Sequence, residues 1–349
     1  MMDMKMKAGV VRRFGGPDVV EIDDVPRPVV GDGDVLVRLR AAGLNRADVT
    51  VREGRFAEQQ PLPIILGVEG AGDVVEVGSA VTTLRPGQRV VLLPMLVCGS
   101  CAACRSGLDS RCPALKFLGE HTDGTYAEYI AVPARNAIPA PESLGYAELA
   151  ASILAYLTAW HMLVTRGRLQ PEETVLVVGA GSGVGSAAVQ LAGVLGARVI
   201  ATTGTDDKRD RLLRLGAHEV VNYRQVPEFS DAVRTLTEGR GADLVHDSVG
   251  GATIQQSIHA LRHGGRLIGM GSHSGPHADI VLYSLYRNEI DFRGAHAADS
   301  RELAEVLPML ADGRLRPIVD SEFTLDDAPA AQERLVSPDR FGKVVLTIE

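Results

Sequence analysis

The segment from Val175 to Gly185 constrains the fold of this chain more than any other part of the sequence. It reads VLVVGAGSGVG, an apolar run followed directly by closely spaced glycines. Such a run is typical of a strand buried on both faces, and the glycines let the backbone approach a pyrophosphate before a helix begins. The spacing is a close variant of G-x-G-x-x-G, because Ser186 stands at the last glycine position. We predict dinucleotide binding; a tight strand–helix turn without a ligand is the alternative.

Strand-like and helix-like segments alternate after this turn. Val199–Thr202, Leu244-Val245 and Leu267-Ile268 read as short buried strands, and Asp207–Leu215 reads as an amphipathic helix. This rhythm predicts a doubly wound parallel sheet of the Rossmann type. The first 140 residues read instead as short strands broken by glycine and proline. The predicted fold class is therefore α/β, with a β-rich catalytic domain and a Rossmann domain.

The length of 349 residues favours two domains. We place the β-rich domain at residues 1–150 and 289–349 and the Rossmann domain at 151–288. The formal net charge of −8 argues against nucleic-acid binding. No signal peptide and no apolar run long enough to span a membrane is evident, so a cytoplasmic protein that contacts no membrane is expected.

All four cysteines lie within fifteen residues, at Cys98, Cys101, Cys104 and Cys112. Four thiolates at this spacing fit one tetrahedral zinc ion, and they leave no coordination position open for chemistry. The predicted zinc site is therefore structural, in a lobe at residues 95–115. Its removal should cost order in the fold and leave hydride chemistry intact. An iron–sulfur cluster is one alternative, although the last two cysteines of ferredoxin motifs are usually closer in sequence than Cys104 and Cys112. Four thiols without a bound metal are the other alternative.

The strand that follows the glycine turn bears on the choice of cofactor. An acidic residue about 20 positions after the glycines would bind the ribose hydroxyl of NAD. The stretch from Ala201 to Thr205 holds no carboxylate, and Lys208 could pair with a 2′-phosphate, although Asp206 and Asp207 lie close by. The sequence therefore predicts NADPH in preference to NADH.

These features together resemble the medium-chain dehydrogenase/reductase family over nearly the whole chain. The resemblance includes the GroES-like β-rich half, the cysteine lobe, the glycine turn, residues 247–251 and the closing segment 342–346. Zinc alcohol dehydrogenases of this family hold a second, catalytic zinc with a Cys, a His and usually another Cys. At these positions this chain has Asn45, Val68 and Ala155. Only carboxylates such as Asp48 and Glu69 remain, and they are a poor set for such a site.

The same segments are similar to the quinone oxidoreductase branch of the family. Its N-R-A-D-x-x-x-R-x-G stretch matches residues 45–54, and its L-T-A-[WY] stretch matches residues 157–160. Many members of that branch lack the cysteine lobe, so the chain combines features of two branches. The resemblance implies that Asn45 and Thr158 lie near the nicotinamide and that Gly183 and Val184 touch the pyrophosphate. It also implies that Gly204, Lys208 and Tyr223 surround the 2′-phosphate. The remaining candidate cofactor contacts are Gly181, Gly185, Thr203 and Val249.

Without a Lewis acid, a conjugated acceptor is easier to reduce than an alcohol is to oxidise. We therefore expect hydride transfer from NADPH to a quinone or an α,β-unsaturated carbonyl. Water or a side chain supplies the proton, and Tyr126, Tyr156 and His121 are candidates, with Tyr156 assigned to the catalytic set. Two alternatives stay open: a zinc alcohol dehydrogenase with atypical ligands, and a non-catalytic NADPH-binding protein. The family also suggests a homodimer.

Overall fold

The computed structural model describes residues 4–55, 61–226 and 228–349. These residues form two compact units, one comprising Met1–Leu154 with Leu310–Glu349 and the other Ala155–Met309. The expected boundary at 288/289 differs from this division. Residues 289–309 belong to the second unit because they add a further strand to its sheet.

The strands, in chain order, are β1 (Lys5–Val11), β2 (Val20–Pro26), β3 (Asp34–Gly43), β4 (Ile64–Ile65), β5 (Glu69–Val77), β6 (Arg89–Leu92), β7 (Met95–Leu96), β8 (Lys116–Phe117), β9 (Tyr129–Pro133), β10 (Ala137–Pro139), β11 (Thr174–Val178), β12 (Arg198–Thr203), β13 (Glu219–Asn222), β14 (Ala242–Asp247), β15 (Leu261–Gly269), β16 (Asp291–Gly294), β17 (Val319–Thr324) and β18 (Lys343–Thr347).

The helices are α1 (Arg46–Arg52), α2 (Ala102–Arg105), α3 (Tyr146–Ala150), α4 (Ile153–Trp160), α5 (Gly183–Val194), α6 (Asp207–Arg214), α7 (Phe229–Leu236), α8 (Ile254–His259), α9 (Leu282–Arg287), α10 (Leu303–Ala311) and α11 (Ala328–Val336). A π-helical segment, His161–Arg166, follows α4. Among the described residues, no helix combines the length and apolar character that a membrane crossing needs.

The first unit is built around a sheet with the order β10-β6-β5-β3-β18-β17, in which β9 also pairs with β3. A smaller sheet, β2-β1-β4, and the ribbon β7-β8 complete its strands. Val35, Val37 and Leu39 of β3 are fully buried and Leu36 is 1% exposed, so this strand contributes to the core of the unit. Pairing of β18 with β3 brings the carboxyl-terminal strand beside residues 41–43, so the two ends of the chain build one core.

The second unit is a parallel sheet with the order β13-β12-β11-β14-β15-β16. This is the strand order of a doubly wound dinucleotide-binding fold. All five residues of β11 are buried, which explains why the corresponding sequence is continuously apolar. The predicted α/β class, with a β-rich domain and a Rossmann-type sheet, is therefore confirmed.

Candidate functional site

Four cysteine thiols converge between β7 and β8 in the first unit. The Sγ atoms of Cys98 and Cys104 are 3.9 Å apart, those of Cys101 and Cys104 are 3.5 Å apart, and those of Cys98 and Cys112 are 3.7 Å apart. A zinc ion with Zn–S bonds of about 2.3 Å requires sulfur atoms about 3.8 Å apart at the corners of a tetrahedron. The four thiols therefore fit one zinc ion.

Backbone N–H groups of this lobe donate hydrogen bonds to sulfur atoms of the cysteines. The N–H group of Cys101 donates to Cys98 Sγ at 3.4 Å, and that of Cys104 donates to Cys101 Sγ at 3.4 Å, where Cys101 caps α2. Hydrogen bonds from Ser100 and Cys101 lower the pKa of the Cys98 thiol to about 6, whereas burial and the Cys101 thiol raise the pKa of Cys104 to about 12. A deprotonated sulfur is the form that binds zinc.

In the second unit, the glycine turn joins β11 to α5 in a geometry that fits a pyrophosphate. Gly179 has a φ of 72°, and Ser182 caps α5 by accepting a hydrogen bond from the Gly185 N–H at 3.0 Å. A Cβ atom on Gly185 would lie 2.4 Å from the Gly179 carbonyl oxygen, so only glycine lets the helix pack this closely. Gly183 and Val184 form the first turn of α5, and Gly181 lies in the turn just before it. Free N–H groups at a helix start bind phosphate oxygens.

Val249 lies beside this turn. A Cβ on Gly179 would be 2.7 Å from Val249 Cγ2, and Val178 and Asp247 are register partners in the sheet. The Asp247 carboxylate accepts hydrogen bonds from the N–H groups of Val249 and Gly250 at 2.9 Å each. Segment 247–251 is therefore fixed next to the glycine turn, which fits a contact between Val249 and a bound dinucleotide.

The end of β12 carries the residues expected at the 2′-phosphate. Thr203 is buried, and its hydroxyl has no partner among the described residues. Tyr223 is 43% exposed, and its hydroxyl lies 2.6 Å from the point where a Cβ on Gly204 would stand. Lys208, in contrast, is only 6% exposed. The structure thus brings Gly204 and Tyr223 together and leaves Lys208 less accessible than expected.

Asn45 lies in a buried polar network of the first unit. Its amide Nδ2 donates to the Gly43 carbonyl at 3.1 Å and to Glu69 Oε1 at 2.9 Å. Its Oδ1 accepts a hydrogen bond from Lys343 Nζ at 2.5 Å, which also fixes the orientation of the amide because an ammonium only donates. Both donors of Asn45 are therefore used within the protein, and only an acceptor position stays open.

The carboxylates of this network are also engaged. Glu69 Oε2 accepts from the Leu154 N–H at 2.9 Å, and Glu69 Oε1 accepts from Lys343 Nζ. Glycine is required at position 43, since a Cβ added to Gly43 would lie 2.0 Å from the Ala150 carbonyl oxygen and 2.9 Å from Glu69 Oε1. The Glu69 carboxylate is therefore committed to an internal cation and to backbone.

Asp48, in α1, is fully buried and joins this network through the backbone of Asn45. Its Oδ2 accepts from the Asn45 N–H at 2.7 Å and from the Tyr126 hydroxyl at 2.9 Å, and its Oδ1 has no partner among the described residues. Burial raises the pKa of Asp48 to about 7, and those hydrogen bonds oppose the shift. Burial and the Asp48 charge also raise the pKa of Tyr126 well above its usual value, while Gln332 Nε2 donates to its hydroxyl at 3.1 Å.

The other candidate proton donors are held by protein groups as well. Tyr156, 2% exposed in the second unit, accepts a hydrogen bond from Gln190 Nε2 at 2.9 Å, and burial raises its pKa well above the usual value. Thr158, on the same helix, is 4% exposed. In the first unit, Nδ1 of the half-buried His121 accepts from the Phe117 N–H at 3.2 Å, which leaves Nε2 as its donor.

Lys343 is the site residue that motif reading missed. The closing segment 342–346 is part of the family resemblance, but nothing in its sequence indicates that the Lys343 side chain reaches Leu44 and Asn45. Because Lys343 is 298 positions from Asn45, only the pairing of β18 with β3 brings them together. An unexpected charged residue in a buried strand was the available signal.

Two protein families match the chain. The family described as "Alcohol dehydrogenase GroES-like domain" matches residues 31–142, and the family described as "Zinc-binding dehydrogenase" matches residues 183–312. The first match lies in the first unit and includes Asn45, Glu69 and the cysteines. The second begins at α5 and covers most of the Rossmann-type sheet.

Similar proteins align along nearly the whole chain. A solved structure titled as an NAD-dependent alcohol dehydrogenase is 41% identical, with a TM-score of 0.94, over 99% of this chain and 100% of that one. An NAD-dependent alcohol dehydrogenase of Sulfolobus acidocaldarius is 31% identical over 98% of this chain and 100% of its own length. A quinone oxidoreductase of Homo sapiens is 27% identical over 98% of each chain.

Proposed function

The chain belongs to the medium-chain dehydrogenase/reductase superfamily, and from that premise we propose an NADPH-dependent reductase acting on quinones or α,β-unsaturated carbonyls without a catalytic zinc. One observation carries this proposal. Where alcohol dehydrogenases of the family have two zinc ligands, this chain has Asn45, whose amide donors are occupied, and Val68, which is 2% exposed. An amide and an aliphatic side chain are poor replacements for thiolate and imidazole.

The zinc of this protein, in our proposal, is held by the cysteine lobe. The spacing of the thiols matches one tetrahedral ion, and all four ligand positions are filled by Cys98, Cys101, Cys104 and Cys112. With no position open to water or substrate, an ion held there stabilises the lobe and takes no part in catalysis.

NADPH, when bound, supplies the hydride. The pyrophosphate is assigned to the turn formed by Gly181, Gly183, Val184 and Gly185, with Val249 beside it. Thr203, Gly204, Lys208 and Tyr223 are assigned to the adenosine end. This assignment is supported by the close packing of Gly185 and by the exposed Tyr223 hydroxyl beside Gly204. Preference for NADPH is supported by the absence of a carboxylate between Ala201 and Thr205.

The proposed substrate class follows from the lack of the usual ligands for a catalytic zinc ion. A quinone or conjugated carbonyl is already electron-poor, so orientation and exclusion of water can supply much of the catalysis. Asn45 is proposed to line the acceptor site by packing, because both of its amide donors are used within the protein. Thr158 is proposed to bind close to the nicotinamide. We assign the proton to water. Tyr156 stays the candidate side-chain donor, but its hydroxyl is buried and its pKa is raised well above the usual value, which is poorly matched to proton transfer near neutral pH.

A zinc-dependent alcohol dehydrogenase with atypical ligands is the second candidate. It is favoured by the similarity of this chain to two NAD-dependent alcohol dehydrogenases, at 41% and 31% identity. Such an enzyme would need a second zinc ion, and its carboxylate donors would have to leave the hydrogen bonds described above.

One experiment separates the two candidates. NADPH oxidation is followed with a benzoquinone, an enone, an enoyl thioester and an aldehyde, and zinc is measured on the same sample. We expect turnover of conjugated acceptors with about one zinc per chain. Turnover confined to the aldehyde, with about two zinc ions, would favour the alcohol dehydrogenase. Tight NADPH binding with no turnover of any acceptor would favour a binding protein.

We also propose that two copies of the chain associate through the second unit. Its edge strand β16 has β15 as its partner among the described residues, and Phe292 on β16 is 41% exposed. Nearby in sequence, Leu282 is 69% exposed and Tyr286 is 68% exposed on α9. An open strand edge next to exposed large apolar side chains is typical of an interface between copies.

A further inference from the structure

We propose that Arg224 selects a nucleotide carrying a 2′-phosphate and that Asp206 is the anchor that holds Arg224 in position. This inference rests on the proposed use of NADPH and names a determinant that the sequence motifs did not indicate. The ligand class is adenine nucleotides phosphorylated at the ribose 2′ position.

The position of Arg224 is the first observation. Its Nε lies 3.4 Å from the point where a Cβ on Gly204 would stand, next to the Tyr223 hydroxyl at 2.6 Å from the same point. Gly204 directly follows β12, the strand after the glycine turn, where the adenosine ribose of a bound dinucleotide is held. A guanidinium and a phenol therefore meet at the ribose end of the site.

The availability of this guanidinium is the second observation. Arg224 is exposed, and within the described part of the chain its side chain makes no hydrogen bond, ion pair or ring contact. Lys208, the cation suggested by the family pattern, is 6% exposed and already takes part in an interaction. Arg224 is thus the more accessible of the two cations.

The state of Asp206 is the third observation. This carboxylate lies closest to the position where an NAD-binding chain would place its ribose-binding acid. Its Oδ1 accepts a hydrogen bond from Asn222 Nδ2 at 2.8 Å, and its Oδ2 accepts one from Gln225 Nε2 at 2.6 Å. Both oxygens are therefore turned toward the loop after β13 instead of a ribose hydroxyl.

These contacts define an Asp206 clamp, formed by Asp206, Asn222 and Gln225. Since Tyr223 and Arg224 lie between the two amide residues, the clamp fixes the backbone that carries them beside Gly204. The Arg224 N–H also donates to Asn222 Oδ1 at 3.0 Å, which restrains the same turn. A planar guanidinium carried on this fixed backbone can donate two parallel hydrogen bonds to a phosphate, which an ammonium cannot do.

The test is calorimetric binding of 2′,5′-ADP and 5′-AMP to the full chain, so it needs no substrate. We expect the unmodified protein to bind 2′,5′-ADP at least about tenfold more tightly than 5′-AMP. Arg224→Ala should weaken the binding of 2′,5′-ADP about tenfold or more and leave the affinity for 5′-AMP within about twofold of the parent value. Arg224→Lys should recover part of the loss. Arg214→Ala, which removes an exposed cation from the end of α6, is the matched control and should change neither affinity.

The possible failures are distinguishable. An unmodified protein with no preference for 2′,5′-ADP would remove the proposed NADPH use and this inference with it. A retained preference in Arg224→Ala would overturn the inference alone. An equal loss of affinity for both nucleotides in Arg224→Ala would also overturn the inference, because a general role of Arg224 in the fold would then explain the effect.

The clamp is tested without changing charge. In the double variant Asn222→Ala/Gln225→Ala, the ratio of the two affinities should fall at least about threefold, because Arg224 loses its restraint. An unchanged ratio would overturn the anchoring role of Asp206. Near-ultraviolet and far-ultraviolet circular dichroism of each variant reports whether the unit keeps its fold.

Discussion

Lys343 and Glu69 form an ion pair that is almost entirely withdrawn from solvent, with side chains 5% and 1% exposed. The ammonium also donates to the Leu44 carbonyl at 2.7 Å and to Asn45 Oδ1 at 2.5 Å. Its three protons therefore have three acceptors, and the charge is neutralised inside the first unit. This pair holds Asn45 in the orientation on which the proposed site depends.

Replacing Lys343 by Met should destabilise the protein by about 3–5 kcal/mol, because Glu69 is then a buried charge without a cation to neutralise it. Urea unfolding measures the effect. Lys7→Met is the control, since the Lys7–Asp326 pair is exposed and its loss should change little. Adding Glu69→Gln to the Lys343 variant should restore part of the stability. A Lys343→Met protein as stable as the parent would contradict a buried ion pair.

Asp48 should make the protein less stable as the pH rises. Its folded pKa of about 7 lies above the ordinary value of 3.8, so the folded state binds the proton more tightly than the unfolded state. The stabilisation is complete below about pH 4 and is lost as the pH approaches 7, by an amount on the order of 4 kcal/mol.

Asp48→Asn mimics the neutral carboxyl, so the fall in unfolding free energy between pH 5 and 8 should become smaller in this variant. Asp320→Asn is a control of opposite sign, because Arg334 and the Phe341 N–H hold the pKa of Asp320 below its usual range. The stabilisation by Asp320 is lost only as the pH falls through its lowered pKa. An unchanged pH profile in Asp48→Asn would exclude a neutral Asp48 in the folded protein.

Removing zinc should affect the fold and leave cofactor binding intact. The double variant Cys98→Ser/Cys112→Ser is expected to lose its zinc and to melt at least about 5 °C lower, because metal binding contributes folding free energy. Zinc content and thermal unfolding measure both effects. Lys116→Ala, at an exposed position of β8 in the same lobe, should keep the metal. Full retention of zinc in the cysteine variant would place the ion elsewhere.

Tyr156→Phe should leave turnover within about twofold and cost about 1 kcal/mol of stability, the usual value of one lost hydrogen bond. The hydroxyl accepts from Gln190, and burial raises its pKa well above the usual value, so it is a weak acid at neutral pH. Steady-state kinetics and urea unfolding are the measurements. A loss of turnover of tenfold or more, with Gln190→Leu nearly unaffected, would assign the proton to Tyr156.

Charges introduced on α9 should separate the proposed dimer. Leu282→Glu/Tyr286→Glu places two carboxylates on a surface that is apolar in the parent protein, and sedimentation should then report a single chain. Val29→Glu, at a position 90% exposed in the first unit, is the control and should keep the parental mass. Unaltered sedimentation of the α9 variant would remove this surface as the interface.

The sequence by itself determined the class of fold, the glycine turn and the cysteine cluster. Each of these is encoded locally: the apolar run of β11 is adjacent to its glycines, and all four cysteines lie within fifteen residues. A strand, a helix start and a metal loop depend on neighbouring residues, so their spacing is enough to identify them. The motif matches also named Gly204 and Tyr223, which the structure brings next to each other.

Only the tertiary structure decided which polar groups are free. Lys343 reaches Asn45 because β18 pairs with β3, and both carboxylate oxygens of Asp206 are occupied because they accept hydrogen bonds from Asn222 and Gln225. The boundary of the second unit likewise depends on β16 joining the sheet. A side chain in a sequence shows its chemistry but not its partners, and the partners determine whether a carboxylate, an amide or a guanidinium can act on a ligand.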